Sequence, residues 1–401
     1  MPAAFMARQP IFDKRLRVFA YELLFRSGPQ NFYQPVPNAS ATVIADSITL
    51  FDLQSLTGNA RAFVNVDELA LRLDAPRLLP PDRVVVEILE TVTPTDEIVN
   101  TCRKLRDAGY SLALDDFTDH PRLAPLVEMA DFLKIDFQIS NHEARERIAT
   151  KYGKAGLSLL AEKVETEEEL AEARRLGFSY FQGYFFCKPS MTEARSIPEN
   201  KRVYLELLNA TIPAELDYAV IEDIFKREPS LLYRFLRYLN SPLLGLRTEV
   251  HSVRQALTLL GEQDFRRWVS VFAIVSMSSG KPSELIRTAL TRAYFCEELS
   301  GATRLAEKKA SLFLMGLLSV TDALLDKPIA EILRDLPIAQ EVKTALNGGE
   351  NPLHDVYKLL LALEHAQWPK LTACVERLGC PEENVPTAYQ SAVRKASAIS
   401  T

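Results

Sequence analysis

Seven apolar segments in the first half of the chain end in a residue with a polar or charged side chain. These residues are Glu22, Asn65, Glu87, the pair Asp115 and Asp116, Lys134, Glu162 and Gln182. A single acid at such a place is more often a helix cap, but a regular recurrence over consecutive segments favours a shared site. Carboxylates brought together repel one another unless cations neutralise them, and oxygen ligands suit Mg²⁺ or Mn²⁺. The pattern therefore predicts a divalent-metal site.

The segments that position these residues have the length and apolar content of buried strands. Eight candidate strands occur, at residues 9–12, 18–24, 62–66, 83–88, 111–116, 132–136, 157–162 and 178–182. Helical patterns lie between them, such as Ile98, Cys102 and Leu105 at the spacing i, i+4, i+7. This alternation predicts a (β/α)8 TIM-like barrel, in which the C-terminal ends of the strands form the rim that holds an active site.

The first two candidate strands depart from that alternation. Only five residues separate Phe12 from Val18, which is too short for the crossover that parallel strands require. We therefore expect these two strands to form an antiparallel hairpin.

The second half of the chain changes character near residues 198–201, where strand-like runs give way to continuous helical patterning. Leu232, Phe235, Leu236 and Leu239 follow the spacing i, i+3, i+4, i+7, and further apolar faces run along 253–277, 283–325 and 353–377. The fold class is therefore predicted as α/β followed by all-α, with a barrel domain over residues 1–195 and a helical domain over 196–401.

Charge and hydropathy exclude several classes of protein. The chain is 47% hydrophobic and 25% charged, as in ordinary globular proteins. Residues 1–200 hold 23 Lys and Arg against 29 Asp and Glu, and the remainder holds 24 against 24. Neither half has the basic excess of a nucleic-acid binder. The apolar stretches are shorter than the roughly 18 residues that span a bilayer, and the N-terminus lacks the order of a signal peptide. A cytoplasmic protein without a membrane or nucleic-acid partner is expected.

Ordered motifs of the first half resemble the EAL family of cyclic di-GMP phosphodiesterases. The signature E-A-L-x-R corresponds to Glu22-Leu-Leu-Phe-Arg26. The other family motifs correspond to Gln9-Pro-Ile11, Phe63-Val-Asn-Val66, Val86-Glu-Ile-Leu-Glu90, Leu114-Asp-Asp-Phe117, Leu133-Lys-Ile-Asp136, Ala161-Glu-Lys-Val-Glu-Thr166 and the segment from Phe181 to Pro189. Their common order along roughly residues 5–190 is what makes the resemblance specific.

The resemblance implies a two-metal hydrolysis of cyclic di-GMP to linear pGpG. It implies a first Mg²⁺ or Mn²⁺ held by Glu22, Asn65, Glu87 and Asp115, and a second held by Asp115 and Asp116. It implies that Lys134 and Glu162 are catalytic and position and activate the attacking water. Contacts to the dinucleotide are implied for Gln9, Arg26, Asp136 and Gln182.

Three departures from the family pattern leave a second function class open. After Asp116-Phe117 the family has G-T-G, whereas this chain reads Thr118-Asp-His-Pro121. Ser27 stands where the family usually has Trp, and Lys163 replaces the glycine of A-E-G-V-E. The changed loop after Phe117 predicts a weaker second metal, and the departures together predict a weaker closure of the site on the substrate. The alternative to a phosphodiesterase is therefore a catalytically silent barrel that senses cyclic di-GMP or serves as a scaffold. Asp119 and His120 are expected to be solvated loop residues rather than substitute ligands.

The second half resembles the HDOD domain, a helical relative of the HD phosphohydrolases that lacks their metal ligands. The resemblance lies in the segments 228–247 and 252–261, and only His251, His354 and His365 occur after residue 200. An EAL domain followed by an HDOD domain is a known architecture in bacterial signalling. The resemblance implies a regulatory domain that docks on an unknown signalling protein and binds neither metal nor nucleic acid. A homodimer stays open.

Overall fold

The structure is a computed structural model of the 401-residue chain. It describes residues 4–27, 53–188, 199–211, 215–227, 229–240, 248–278, 280–336 and 338–399. The chain divides into two compact units, Met1–Phe186 with Leu359–Val393, and Cys187–Lys358 with Arg394–Thr401. The domain boundary at residue 195 stays a prediction.

The first unit contains an eight-stranded closed barrel. Its strands are β1 (Ala4–Asp13), β2 (Val18–Ser27), β3 (Arg61–Val66), β4 (Val84–Ile88), β5 (Ser111–Leu114), β6 (Phe132–Asp136), β7 (Ser158–Glu162) and β8 (Tyr180–Gln182). They follow one another around the barrel in chain order. All neighbours from β2 to β8 are parallel, whereas β1 is antiparallel to both β2 and β8. The predicted barrel and the predicted hairpin are both confirmed.

The turn of the β1–β2 hairpin is held by one carboxylate. Asp13 Oδ1 accepts hydrogen bonds from the backbone N–H groups of Arg15, at 2.8 Å, and Arg17, at 2.9 Å. Its other oxygen forms an ion pair with the Arg17 guanidinium at 2.9 Å. These bonds stabilise the tight turn between β1 and β2, which is too short to be a crossover between parallel strands.

A layer of buried side chains fills the barrel and determines where the polar residues lie. Seven strands contribute to it, through Ile11, Ala20, Phe63, Val85, Ala113, Phe132 and Leu160. Since side chains alternate between the two faces of a strand, the residue two positions further along points the same way. In β2 to β7 that residue is one of the predicted site residues. In β1, which runs in the opposite direction, the corresponding residue is Gln9.

Helices connect the strands of the barrel. They are α1 (Leu53–Thr57), α2 (Glu68–Arg72), α3 (Asp96–Asp107), α4 (Ala124–Val127), α5 (His142–Ile148) and α6 (Glu167–Leu176). The α3 helix buries Ile98, Cys102 and Leu105, as their spacing predicts. The α6 helix begins with a capping box, in which Thr166 and Glu169 satisfy each other's backbone N–H groups. Such caps fix the helix starts just after the barrel rim.

The rest of the described chain is helical. The helices are α7 (Glu199–Thr211), α8 (Tyr218–Arg227), α9 (Pro229–Leu239), α10 (Val253–Met277), α11 (Ser283–Ser300), α12 (Lys309–Leu318), α13 (Thr321–Leu325), α14 (Ile329–Asp335), α15 (Gln340–Leu346), α16 (Pro352–Glu364), α17 (Trp368–Leu378) and α18 (Asn384–Ile399). Gly261 interrupts α10 with a φ of 75°. This confirms the all-α prediction for the second half. Among the described residues, no helix has the length and apolar content needed to cross a membrane.

Candidate active site at the barrel rim

The predicted rim residues come together at one end of the barrel. Strand pairing places Gln9 beside Glu22, Asn65 beside Glu87 and Asp136 beside Glu162. Glu22, Asn65, Glu87 and Glu162 each follow a residue of the apolar layer by two positions, so their side chains point inward over that layer. Glu22, Glu87, Lys134, Asp136, Glu162 and Gln182 are buried there.

The Lys134 ammonium group lies among four carboxylates. Its Nζ atom is 2.8 Å from Glu162 Oε1, 3.0 Å from Asp115 Oδ1 and 3.5 Å from Glu22 Oε2. Lys134 also forms an ion pair with Glu87. The side chains of Lys134 and Glu87 are both fully buried. Four carboxyl groups thus share one ammonium in this buried group, which we call the first acidic group.

Side-chain amides occupy both oxygens of Glu22. Asn65 Nδ2 donates to Glu22 Oε1 at 3.0 Å, and Gln182 Nε2 donates to Glu22 Oε2 at 2.5 Å. Gln182 Nε2 also donates to Gln9 Oε1 at 3.0 Å. These bonds orient the Glu22 carboxylate.

The pKa values of the first acidic group diverge strongly. Burial, with the charge of Asp115 and Glu22, raises the pKa of Glu162 to about 8, although Lys134 opposes the shift. Burial and Glu22 likewise raise the pKa of Glu87 well above its usual range. Burial alone would raise the pKa of Asp115, but the Lys134 ammonium holds it below its ordinary value. The group therefore combines a proton-holding carboxyl with an ionised one at neutral pH.

Several oxygen atoms of the rim are suited to a divalent cation. Glu87 Oε2, Glu162 Oε2, Asn65 Oδ1 and Asp116 Oδ1 are buried and have no hydrogen-bond partner among the described residues. One carboxylate oxygen each of Glu22, Glu87 and Glu162 lie within 4.8 Å of one another. Buried oxygens without partners are costly unless a cation satisfies them, so the donor set fits Mg²⁺ or Mn²⁺.

A second set of acids lies next to the first. Carboxylate oxygens of Glu90, Asp115 and Asp116 also fall within 4.8 Å of one another, and we call these three residues the second acidic group. Asp116 has a φ of 38°, in the left-handed region. Burial and the neighbouring charge of Asp115 raise the pKa of Asp116. Asp115 belongs to both groups.

The loop after Phe117 is held by contacts of its own. Asp119 Oδ1 accepts from Lys151 Nζ at 2.7 Å and from the Tyr152 hydroxyl at 2.5 Å. His120 Nδ1 accepts the backbone N–H of Arg122 at 3.2 Å. Both side chains thus serve the local structure of the loop, which favours their reading as loop residues over substitute ligands.

Both carboxylate oxygens of Asp136 have bonding partners. Its Oδ1 atom accepts the backbone N–H groups of Gln138, at 2.6 Å, and Ile139, at 3.2 Å. Its Oδ2 atom forms an ion pair with Lys163. Asp136 is buried, whereas the side chain of Lys163 is 55% exposed. A lysine therefore reaches from solvent into the rim.

A distant segment of the first unit also contacts rim residues. The carbonyl oxygen of Glu364, at the end of α16, accepts Gln9 Nε2 at 3.2 Å and the Tyr184 hydroxyl at 2.7 Å. The ring of Tyr184 stacks on His365 with centroids 4.0 Å apart. The side chain of Arg26 lies outside the described residues.

Sequence reasoning missed three contributors to the site. Glu90 carried a usable signal, since it closes the motif that contains Glu87. Lys163 stood out only as a replaced glycine, and its contact with Asp136 is a feature of the folded loops. Glu364 gave no signal because it lies more than three hundred residues after its partner Gln9.

Comparison with known proteins identifies two domains. The family model of the EAL domain matches residues 48–189, and that of the HDOD domain matches residues 197–370. The chain is 36% identical over 374 residues to the uncharacterized protein YuxH of Bacillus subtilis, and the matched residues make up 91% of each chain. It is 34% identical over 390 residues to the cyclic di-GMP phosphodiesterase CdgJ of Vibrio cholerae, and the matched residues make up 96% of this chain and 90% of CdgJ.

Among solved structures, the chain is similar to BlrP1 of Klebsiella pneumoniae in its complex with calcium and cyclic di-GMP. The two are 24% identical with a TM-score of 0.39, over 45% of this chain and 54% of the other.

Proposed function

Since the chain belongs to the family of proteins that join an EAL domain to an HDOD domain, we propose that its barrel is a metal-dependent cyclic di-GMP phosphodiesterase. The reaction would open the cyclic dinucleotide to linear pGpG. The observation that carries this proposal is the buried Lys134 ammonium in contact with Glu162 and three further carboxylates. The similarity to CdgJ, over nearly the whole of both chains, supports it.

The cation-binding residues are proposed from the two acidic groups. Glu22, Asn65, Glu87 and Asp115 would hold the first Mg²⁺ or Mn²⁺, and Asp115 with Asp116 would hold a second. When bound, such cations lower the pKa of water and neutralise phosphate charge. The unpartnered buried oxygens of Glu87, Asn65 and Asp116 support this assignment.

Glu162 and Lys134 would carry out the proton chemistry. Glu162 is the proposed general base, which takes one proton from the water that attacks phosphorus. Its burial in the metal-free rim raises its pKa, which makes its carboxylate a stronger base than an exposed one. Lys134 Nζ, 2.8 Å from Glu162 Oε1, would hold that carboxylate and the attacking oxygen in place.

The dinucleotide would be held by side chains around this centre. Gln9, Arg26, Asp136 and Gln182 are the proposed contacts. The side chain of Gln182 donates to that of Gln9 at 3.0 Å, so the two amides are held next to each other and can contact the same part of the dinucleotide.

The rim supports turnover over the silent alternative. A site that only binds the dinucleotide needs groups that contact it, but it does not need the buried Lys134 ammonium fixed 2.8 Å from the proposed general base Glu162. The helical residues 196–401 are proposed as a domain that docks on another signalling protein or regulates the barrel.

The direct test is to incubate the full-length protein with cyclic di-GMP and Mn²⁺ and to separate the nucleotides by chromatography. We expect slow formation of the linear dinucleotide that rises with metal concentration, because the loop after Phe117 differs from the family's. The double variant Glu22→Ala, Asp115→Ala should form none. If the wild type forms no product at any metal concentration, the barrel belongs to the receptor class.

A further inference from the structure

We propose that the end of helix α16, at Glu364 and His365, is a positioning element of the dinucleotide site, which holds the side-chain amide of Gln9 in its binding orientation. This inference rests on the proposed function, because it concerns the residues that would hold that dinucleotide. It assigns a role to two residues that lie far from the EAL motifs in the sequence. Both lie within the residues 197–370 that match the HDOD family model.

The first observation is the direct bond between α16 and Gln9. The backbone carbonyl oxygen of Glu364, a buried residue, accepts a hydrogen bond from Gln9 Nε2 at 3.2 Å. A carbonyl oxygen can only accept, so it determines which end of the Gln9 amide faces it. The Nε2 atom of Gln9 therefore points at α16, and its Oε1 atom is left to face the barrel.

The second observation is that this bond is one end of a hydrogen-bond chain that reaches a proposed metal ligand. Gln182 Nε2 donates to Gln9 Oε1 at 3.0 Å and to Glu22 Oε2 at 2.5 Å. The chain thus ends on an acceptor at both sides, the Glu364 carbonyl and the Glu22 carboxylate. Only one orientation of the two amides satisfies all three bonds, because a reversed amide would place two donors or two acceptors against each other.

The third observation is the acceptor that this orientation leaves over. Gln182 Oε1 is buried and has no hydrogen-bond partner among the described residues, while Nε2 of the same amide serves Gln9 and Glu22. A buried acceptor without a partner is costly until a donor reaches it. The orientation of the two amides therefore offers the dinucleotide an acceptor, which suits one of its hydroxyl or N–H groups.

The fourth observation is that the Glu364 carbonyl is itself held in place. The Tyr184 hydroxyl donates to the same oxygen at 2.7 Å, and the Tyr184 ring stacks on His365 with centroids 4.0 Å apart. Tyr184 follows Gln182 by two residues, so the segment that carries Gln182 is joined to the end of α16 by both contacts.

These contacts favour a positioning role over a blocking role for the Glu364 carbonyl. An amide nitrogen carries two hydrogens, and Glu364 takes only one of those on Gln9 Nε2. Gln9 is also only half-buried. Gln9 can therefore donate to a dinucleotide while Glu364 holds it.

The test uses the full-length protein with cyclic di-GMP and Mn²⁺. Tyr184→Phe removes the hydroxyl that holds the Glu364 carbonyl but keeps the ring. We expect it to raise KM and the nucleotide Kd about three- to tenfold, while kcat stays within about twofold of the wild type. His365→Ala should have the same effect, and His365→Phe, which restores an aromatic ring, should return both constants toward the wild-type values.

Initial rates give KM and kcat, and titration calorimetry gives the Kd before slow turnover forms much product. The matched control is Tyr233→Phe, which removes a hydroxyl from an exposed tyrosine of α9 and should change none of these constants.

Unchanged KM and Kd in Tyr184→Phe and His365→Ala would overturn the inference, even if the thermal midpoint fell, because the contacts would then serve stability alone. Tighter binding would overturn it as well, since it would show that the Glu364 carbonyl blocks Gln9. A wild type that neither binds nor hydrolyses cyclic di-GMP would instead contradict the proposed function on which the inference rests. The two failures therefore give different results.

Discussion

The raised pKa of Glu162, the proposed general base, also makes the stability of the folded protein depend on pH. Its carboxyl is buried beside Lys134 and shares the site with Asp115 and Glu22, and its pKa is raised to about 8 from an ordinary value of 4.5. In the metal-free protein, the folded state therefore keeps a proton that the unfolded chain has already released between these two pH values. Since the folded state binds more protons there, stability must fall as pH rises.

We accordingly predict that the free energy of unfolding of the metal-free protein decreases from about pH 4.5 to about pH 8, and that Glu162→Gln makes this decrease smaller. Glu87, whose pKa is also raised, should leave a residual slope. The measurement is urea denaturation at a series of pH values with a chelator present. The exposed Glu146→Gln is the control and should keep the wild-type slope. Parallel slopes for wild type and Glu162→Gln would show that Glu162 titrates normally.

At the scale of the elements, the strand pattern was predictable because its physical cause is local. Each strand alternates inward and outward side chains, so an apolar residue such as Val85 predicts the direction of Glu87 two positions later. The antiparallel β1–β2 hairpin was predictable as well, because the loop between the two strands is too short for a crossover. The ion pair of Lys163 with Asp136 was not predictable, since it depends on how two loops approach each other after folding.

A glycine directly after β8 allows close contact with the backbone that follows β7. Gly183 follows Gln182 with a φ of 144°, and a Cβ atom there would lie 2.0 Å from the carbonyl oxygen of Val164. Val164 N–H in turn donates to the Gln182 carbonyl at 2.9 Å. Any side chain at position 183 must therefore displace the backbone that carries Gln182.

We predict that Gly183→Ala destabilises the protein by about 3 kcal/mol or more and weakens the binding of cyclic di-GMP. Gly177→Ala is the matched control, because Gly177 also has a positive φ, of 93°, but has open space around it. It should cost only about 1 kcal/mol. Thermal unfolding and nucleotide titration of both variants check this prediction. Equal losses in the two variants would mean that the contact with Val164 contributes nothing.

For the whole molecule, the helical segment 359–393 groups with the barrel and not with the helices before it in the chain. The buried Phe5 of β1 lies against Trp368, with ring centroids 6.4 Å apart, and Tyr184 donates to the carbonyl of Glu364. The helical pattern of this segment was visible in the sequence. Its packing partner was not, because an apolar helix face does not specify which surface covers it.

We therefore predict that a fragment of residues 1–199 folds into a barrel but unfolds at a lower temperature than the same barrel in the full chain. Each kcal/mol lost should lower the midpoint by roughly 2–4 °C for a domain of this size. Trp368→Ala in the full chain should reproduce part of the decrease. Circular dichroism melting is the measurement, and equal midpoints for fragment and full chain would show that segment 359–393 does not stabilise the barrel.

The central claim is that Glu162 activates water at a rim whose other residues hold the dinucleotide. It is tested most directly by comparing wild type and Glu162→Gln in the full chain, with turnover of cyclic di-GMP in Mn²⁺ and the nucleotide Kd measured on the same samples. We expect turnover to fall by about 10²-fold or more while the Kd changes little, because a general base contributes to the rate and not to substrate binding. Unchanged turnover, or the loss of binding together with activity, would contradict the account.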